Sequence, residues 1–309
     1  MIEVESLSKR YGDFVAVDNV SFTAEAGGIF GLLGPNGAGK TTTLSCISGL
    51  LAPSAGRIRV LGFDVASDGP RSRQELGVVP QELALYEDLS ARENLSSWGA
   101  AYGLGGAALK QRVSKVLEVV GLSDRAKEPV KRYSGGMMRR LNFACGIVHE
   151  PRVLLLDEPT VGVDPQSRVR LVELVREQAA AGACVLYTTH YMEEAESLCD
   201  RLAIIDHGRI IAAGTLDQLR VLVGERDLLR LSGRFEGEAI RQKLGALADV
   251  EIVAAESGTL TLALPQASSR LSAIFRALAD AGAEVKETTL TRPSLESLFI
   301  RLTGKELRE

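Results

Sequence analysis

The chain has little of what builds metal cages, disulfide frameworks or membrane spans. Its 309 residues include 4 cysteines, 3 histidines and 1 tryptophan. Cys46, Cys145, Cys184 and Cys199 are scattered, with no C-x-x-C pair and no metal-ligand spacing. They read as small buried hydrophobes in a reducing compartment. No apolar run approaches the roughly 18 residues that a membrane helix needs. The start, Met1-Ile2-Glu3-Val4-Glu5, lacks the basic-then-apolar layout of a secretory signal, so a cytoplasmic protein is expected. Excess positive charge is missing too. A net charge of −4 argues against a nucleic-acid partner, and none is expected. What remains, 45% hydrophobic and 25% charged, is ordinary globular composition, and the length suits about two domains.

Against that background, Gly34-Pro35-Asn36-Gly37-Ala38-Gly39-Lys40-Thr41 fits G-x-x-x-x-G-K-[ST], a loop whose backbone N–H groups wrap phosphates. Its context agrees. Gly27-Gly28 marks a turn, Ile29-Phe30-Gly31-Leu32-Leu33 reads as a buried strand, and Thr42-Thr43-Leu44-Ser45-Cys46-Ile47 starts a helix. The helix N-terminus offers partial positive charge and unpaired N–H donors. Lys40 is expected at the β- and γ-phosphates, and Thr41 at Mg²⁺ through its hydroxyl. The plain alternative, a glycine-rich turn that binds nothing, is disfavoured by the full pattern with strand and helix in place.

Residues 2–7 and 15–23 alternate apolar and polar, which predicts an antiparallel strand pair with Tyr11 in the turn between them. Tyr11 is either a surface aromatic or a platform for an adenine face. Arg57 to Val60 and Leu76 to Gln81 read as strands. A strand-end glutamine is commonly a cap, but beside a phosphate site the Gln81 amide oxygen suits a Mg²⁺ shell. Residues 82–130 turn helical in pattern, a subdomain inserted into the α/β core. Ser134-Gly135-Gly136 then combines a good N-cap with an open helix start, a second anion site that one nucleotide does not need.

Val153-Leu154-Leu155-Leu156-Asp157-Glu158 lacks alternation, as a central parallel strand buried on both faces does. Asp157 at its C-terminal end suits Mg²⁺. Glu158 is expected to polarise the attacking water, whereas a helix cap suits Asp164. Cys184 to His190 is a further buried strand ending in a polar residue. That position favours a hydrogen bond from His190 to the γ-phosphate over a structural role, while His149 and His207 read as structural.

With these residues in order, the chain resembles the ATP-binding subunit of an ABC transporter over roughly residues 1–220. Tyr11 matches the adenine-stacking aromatic, Gly34 to Thr42 the phosphate loop, and Gln81 the Q-loop. Ser134-Gly135-Gly136 matches the signature motif, although Met137 stands where the family more often has glutamine. Asp157 and Glu158 match the magnesium aspartate and catalytic glutamate, Asp164 the D-loop aspartate, and His190 the switch histidine. The resemblance implies a P-loop NTPase α/β core with an antiparallel β subdomain and a helical subdomain, about 82–150, inserted in it. It implies ATP and Mg²⁺, a head-to-tail homodimer, and a separate polytopic membrane permease that holds the protein at the cytoplasmic face of the membrane. In such a dimer the phosphate loop of one chain and the signature helix of the other share each nucleotide. Tyr86 to Leu95 looks like the stretch that receives the permease's coupling helix. Tyr133-Ser134-Gly135-Gly136-Met137, the D-loop and the tail look most like the ABC-2 drug-resistance and polysaccharide exporters.

Residues 221–309 read as a strand at 228–231, a helix at 238–247, a hairpin about Ser257-Gly258, an amphipathic helix at 269–281, a strand at 284–289 and a last helix after Pro293. The order βαββαβ suggests a small ferredoxin-like α+β accessory domain, and fold-level analogy favours one that stabilises or contacts a dimer over a ligand sensor. A non-transport ABC ATPase acting on a macromolecular complex is the competing function. Its ribosomal form fuses two ATPase units and its repair form inserts a long coiled coil, and this chain has neither pattern.

Overall fold

The computed structural model describes residues 1–223, 226–234, 240, 243–244, 247, 249–256, 258–291 and 294–303. The chain divides into two compact units, Met1–Ala213 and Gly214–Glu309.

In the first unit, β1 (Ile2–Tyr11), β2 (Phe14–Ala24), β4 (Ala55–Val60) and β5 (Phe63–Asp64) form an antiparallel sheet in the order β2-β1-β4-β5. A six-stranded sheet combines β3 (Ile29–Leu33), β6 (Leu76–Val79), β7 (Val153–Asp157), β8 (Cys184–Thr189), β9 (Arg201–Asp206) and β10 (Arg209–Gly214). Its order is β10-β9-β3-β8-β7-β6, with β9, β3, β8, β7 and β6 parallel neighbours. Every residue of β3, β7 and β8 is buried, which is why these runs show no alternation. Parallel strands carry their loops at the same end, so the segments after β3, β6, β7 and β8 converge there.

The helices of this unit are α1 (Lys40–Ile47), α2 (Gly69–Gln74), α3 (Ala91–Ala101), α4 (Gly106–Val119), α5 (Gly135–Ile147), α6 (Pro165–Ala180) and α7 (Met192–Leu198). Ser90 starts α3 with a capping box: its hydroxyl accepts from the Glu93 N–H while the Glu93 carboxylate accepts from the Ser90 N–H. One core joins the two sheets through α1, with Phe22 stacked on Phe30 at 4.9 Å and Leu44, Ile47, Leu155 and Leu186 around them. Loss of one such leucine to alanine costs about 2–5 kcal/mol.

Two expectations need correction. Tyr11 ends β1 and pairs with Phe14, so the turn is Gly12-Asp13, with Gly12 supplying the left-handed φ of 58°. The strand expected to reach Gln81 stops at Val79, because Pro80 has no N–H to continue the ladder, and Gln81 sits on an exposed bend.

The second unit contains α8 (Leu216–Val223), β11 (Arg226–Arg234), β12 (Glu251–Glu256), β13 (Thr259–Pro265), α9 (Ala267–Asp280), β14 (Glu284–Thr291) and α10 (Leu295–Thr303). Its sheet runs β12-β13-β11-β14, antiparallel throughout. Leu229, Leu231, Leu260, Leu262 and Leu264 meet Ile240, Leu244, Ile274 and Leu278, with Leu271 and Phe275 partly buried against them. Leu228 and Ala263 pack with Ile300, and α8 packs on α10. Most of the expected helix at 238–247, together with Ser257 and Pro293, lies outside the described residues.

Candidate nucleotide-binding site

The phosphate loop leaves β3 at Gly34 and enters α1 at Lys40. Gly39, the N-cap of α1, has φ 104° and no side chain to cap the helix, so the first N–H groups stay open for an anion. A Cβ on Gly39 would stand 2.6 Å from the Ala16 carbonyl oxygen of β2, so only glycine fits. The same approach sets the β1–β2 hairpin, with Tyr11 46% exposed near its tip, beside the loop. The Gly208 N–H donates to the Ala38 carbonyl at 3.0 Å and ties the β9–β10 turn to it as well.

Lys40 is buried. Its Nζ donates to the carbonyls of Gly34 at 2.7 Å and Pro35 at 3.0 Å, and lies 2.8 Å from Oε1 of Glu158. Oε2 of Glu158 is 3.0 Å from Nδ1 of His190. A carboxylate only accepts, so Nδ1 carries the proton toward it. The first residue of α1 and the residues that directly follow β7 and β8 thus form one buried chain, Lys40–Glu158–His190. Glu158 reaches this position through a left-handed φ of 44°, a conformation that costs a non-glycine residue about 1 kcal/mol or more. Its N–H donates to Oγ1 of Thr188 at 3.0 Å, and that hydroxyl donates to Oδ1 of Asp157 at 2.8 Å.

Burial raises the Asp157 carboxyl above the ordinary carboxylate range, opposed by hydrogen bonds from Thr188 and Thr41. The Thr41 hydroxyl and the Asp157 carboxylate therefore meet at one point. This pair of hard oxygen donors fits Mg²⁺. Gln81 stands on the exposed bend after β6, and its carbonyl is bound by the Arg139 guanidinium, which also donates to the Val161 carbonyl at 3.1 Å.

The signature residues lie elsewhere in the unit. Ser134 caps α5, its hydroxyl accepting from the Met137 N–H at 3.3 Å. The α5 helix packs on β6, α3, α4 and α6, and β6 is three strands away from β3 in the sheet. Neighbouring strands are about 4.8 Å apart, so that offset is roughly 14 Å. Ser134 and Gly135 are exposed. Gly136 has a packing role of its own, since a Cβ there would strike Oγ of Ser167 at 2.1 Å and approach Oδ2 of Asp164 at 2.9 Å. Asp164 caps α6 by accepting from the Ser167 N–H at 2.9 Å, which holds its carboxyl below the usual range. His149 stacks on Tyr102 with ring centroids 3.5 Å apart, and His207 is exposed on the β9–β10 turn.

Reasoning from the sequence missed Thr188 and Arg139. The signal for Thr188 was there: a polar residue inside a fully buried strand must have a partner. Arg139 had none, because its carbonyl partners belong to loops distant in sequence.

Comparison with known proteins decides the family. A family model described as "ABC transporter" matches residues 17–161. The linearmycin resistance ATP-binding protein LnrL of Bacillus subtilis is 42% identical over 312 residues, covering 100% of both chains. The chain belongs to the ATP-binding subunits of ABC transporters. Among other members of this ABC family, the Nod factor export ATP-binding protein I of Ralstonia nicotianae is 41% identical over 100% of this chain and 95% of its own. The daunorubicin resistance ATP-binding protein DrrA3 of Streptomyces coeruleorubidus is 40% identical over 99% and 97%. A solved ATP-binding subunit of an ABC transporter superposes with a TM-score of 0.67 at 35% identity, over 72% of this chain and 93% of that one. A dimeric ATP-binding cassette bound to ADP and Pi has the same fold, with a TM-score of 0.64 at 23% identity over 70% and 99%.

Proposed function

We propose that the chain hydrolyses ATP to drive export through a separate membrane subunit. The observation that carries this reading is the buried Lys40–Glu158–His190 chain at the mouth of the phosphate loop. Lys40 and the open N–H groups of α1 bind the phosphates, with Asn36, Gly37, Ala38 and Gly39 shaping the loop around them and Tyr11 stacking on adenine. Glu158 orients and deprotonates the attacking water. His190 holds the γ-phosphate by Nε2 while its Nδ1–H steadies Glu158. Thr41 and Asp157, joined by Gln81 and with Thr42 alongside, would hold Mg²⁺, which would supply positive charge against the negative charge developing on the phosphates.

The second half of each site is Ser134, Gly135 and Gly136 of another copy, with Asp164 at the dimer seam. In support, Ser134 and Gly135 are exposed at a helix start that lies apart from the chain's own phosphate loop. A permease is the second partner. Among the described residues no helix is long and apolar enough to cross a membrane. Leu83 and Tyr86, 37% and 58% exposed, precede the capped start of α3 and suit a docking surface. That partner sets the cytoplasmic face of the membrane as the place of work. Drug-resistance and Nod factor export proteins among the relatives support an ABC-2 type exporter. The strand order β12-β13-β11-β14 with helices between supports a ferredoxin-like reading of residues 221–309 as an accessory domain.

The test is Glu158→Gln. ATP should still bind, hydrolysis should fall to background, and a Mg-ATP dimer should accumulate on size exclusion. Near-normal phosphate release would remove Glu158 from the water-activating role.

A further inference from the structure

One buried charge stands outside the chain that does the chemistry. Glu194, in the first turn of α7, is 6% exposed. Its Oε2 accepts from the Tyr187 hydroxyl and from Oγ1 of Thr189, both at 3.0 Å. Burial keeps the Tyr187 phenol protonated well above its usual range, so it stays a donor. Oγ1 of Thr189 in turn accepts from the Tyr191 N–H at 2.9 Å, which closes a turn around His190. The Tyr191 ring lies 4.2 Å from the His190 ring and packs under the Arg168 guanidinium at 4.8 Å. Nε of Arg168 stands 3.6 Å from Oε1 of Glu194, within ion-pair range but beyond a hydrogen bond. Arg168 belongs to α6, the helix that Asp164 caps.

A buried carboxylate is a poor choice for stability alone, because well-packed apolar residues serve as well or better. This one accepts a hydrogen bond from Thr189, the residue before His190, is linked through that hydroxyl to the N–H of Tyr191 after it, and faces the D-loop helix. We propose that Glu194 is a positioning residue for His190: it fixes the turn on which the imidazole meets Glu158 and ties that turn to α6. The inference rests on the catalytic reading of His190 given above.

The test uses the full-length chain. Glu194→Ala should lower kcat about tenfold or more while KM and ATP affinity change less than about twofold. In a His190→Ala background the same substitution should cost nothing further, because a residue that acts through His190 has nothing left to position. Glu194→Gln keeps an acceptor for Tyr187 and Thr189 but turns an amide toward Arg168, so a loss of about threefold is expected. That isostere carries the test if the alanine variant does not fold, with thermal melting as the check. A second readout needs no turnover. The chain has only His149, His190 and His207, so ¹⁵N spectra of the imidazoles resolve them. The His190 signals should lose their Nδ1–H signature in the Glu194 variants while His149 and His207 stay in place. Unchanged kcat in folded variants, an equal loss with and without His190, or unmoved His190 signals would each overturn the proposal. Wild-type turnover by His190→Ala would instead overturn the role of His190, and the spectra would still decide whether Glu194 orients its ring.

Discussion

Oε1 of Glu158 lies 2.8 Å from Nζ of Lys40, and each side chain is only 4% exposed. A buried ion pair adds little stability as a unit, but removing one partner leaves the other unpaired in a dry site. Lys40→Ala should therefore do two things at once. Stability should fall by about 3 kcal/mol, since among the described residues His190 is the only other group against the Glu158 carboxylate. Nucleotide affinity should fall sharply, because a charge-assisted contact to phosphate is lost. Urea unfolding and a fluorescent-ATP titration measure the two effects. An unchanged affinity would mean that the loop is not the primary site.

The four cysteines are all buried. Burial pushes the Cys199 thiol up to about 12 and raises Cys145 further. Native protein at pH 8 should therefore resist alkylation, and all four thiols should react once it is unfolded. Because burial raises the folded-state values, the thiols' contribution to stability is complete below the unfolded thiol's pKa, about 8.5, and is lost as pH rises from there toward 12. Rapid labelling of Cys199 in native protein at pH 8 would contradict this.

The buried core cluster of the first unit is built from residues between Ile2 and Ile205, and every proposed ligand precedes residue 191. A fragment ending at Gly214 should remain soluble and bind ATP with an affinity within about threefold of the whole chain, or about 0.7 kcal/mol. Isothermal titration measures it. Loss of binding by a well-folded fragment would assign part of the site to the second unit.

How much of this was legible beforehand depended on the range of each interaction. The strand–loop–helix of the phosphate loop, the capping Ser134 and Asp164, and the buried strand ending at Asp157 are local patterns of three to ten residues, and the structure has them as read, while the strand read to His190 stops one residue earlier at Thr189. Tyr11 and Gln81 were misplaced by a residue or two, where a single Gly or Pro decides the end of a strand. Long-range partners were invisible. Nothing in the sequence pairs Arg139 with Gln81 across α5, or Glu194 with Arg168 across two helices. Those contacts are products of packing, and no spacing rule announces them.

In the proposed dimer one chain's signature helix completes the other chain's nucleotide site, and mixing two inactive mutants tests this most directly. Lys40→Ala cripples the phosphate-loop half of each site. Gly135→Asp is open to the fold, since a Cβ at Gly135 meets nothing within 4 Å, yet it sets a carboxylate where the γ-phosphate should approach the start of α5. Like-charge repulsion at a helix N-terminus then opposes closure. Each mutant alone should be folded and nearly silent. A mixed dimer holds one doubly damaged site and one intact site. Phosphate release should therefore return on mixing, to about half the normal rate per mixed dimer if the sites act independently. Background activity, in chains shown by labelling to exchange subunits, would contradict independent sites assembled in trans. A crosslink between cysteines placed at Ser134 and Gly37 would then tell coupled firing, where it forms, from a signature helix that never meets the partner's loop, where it does not.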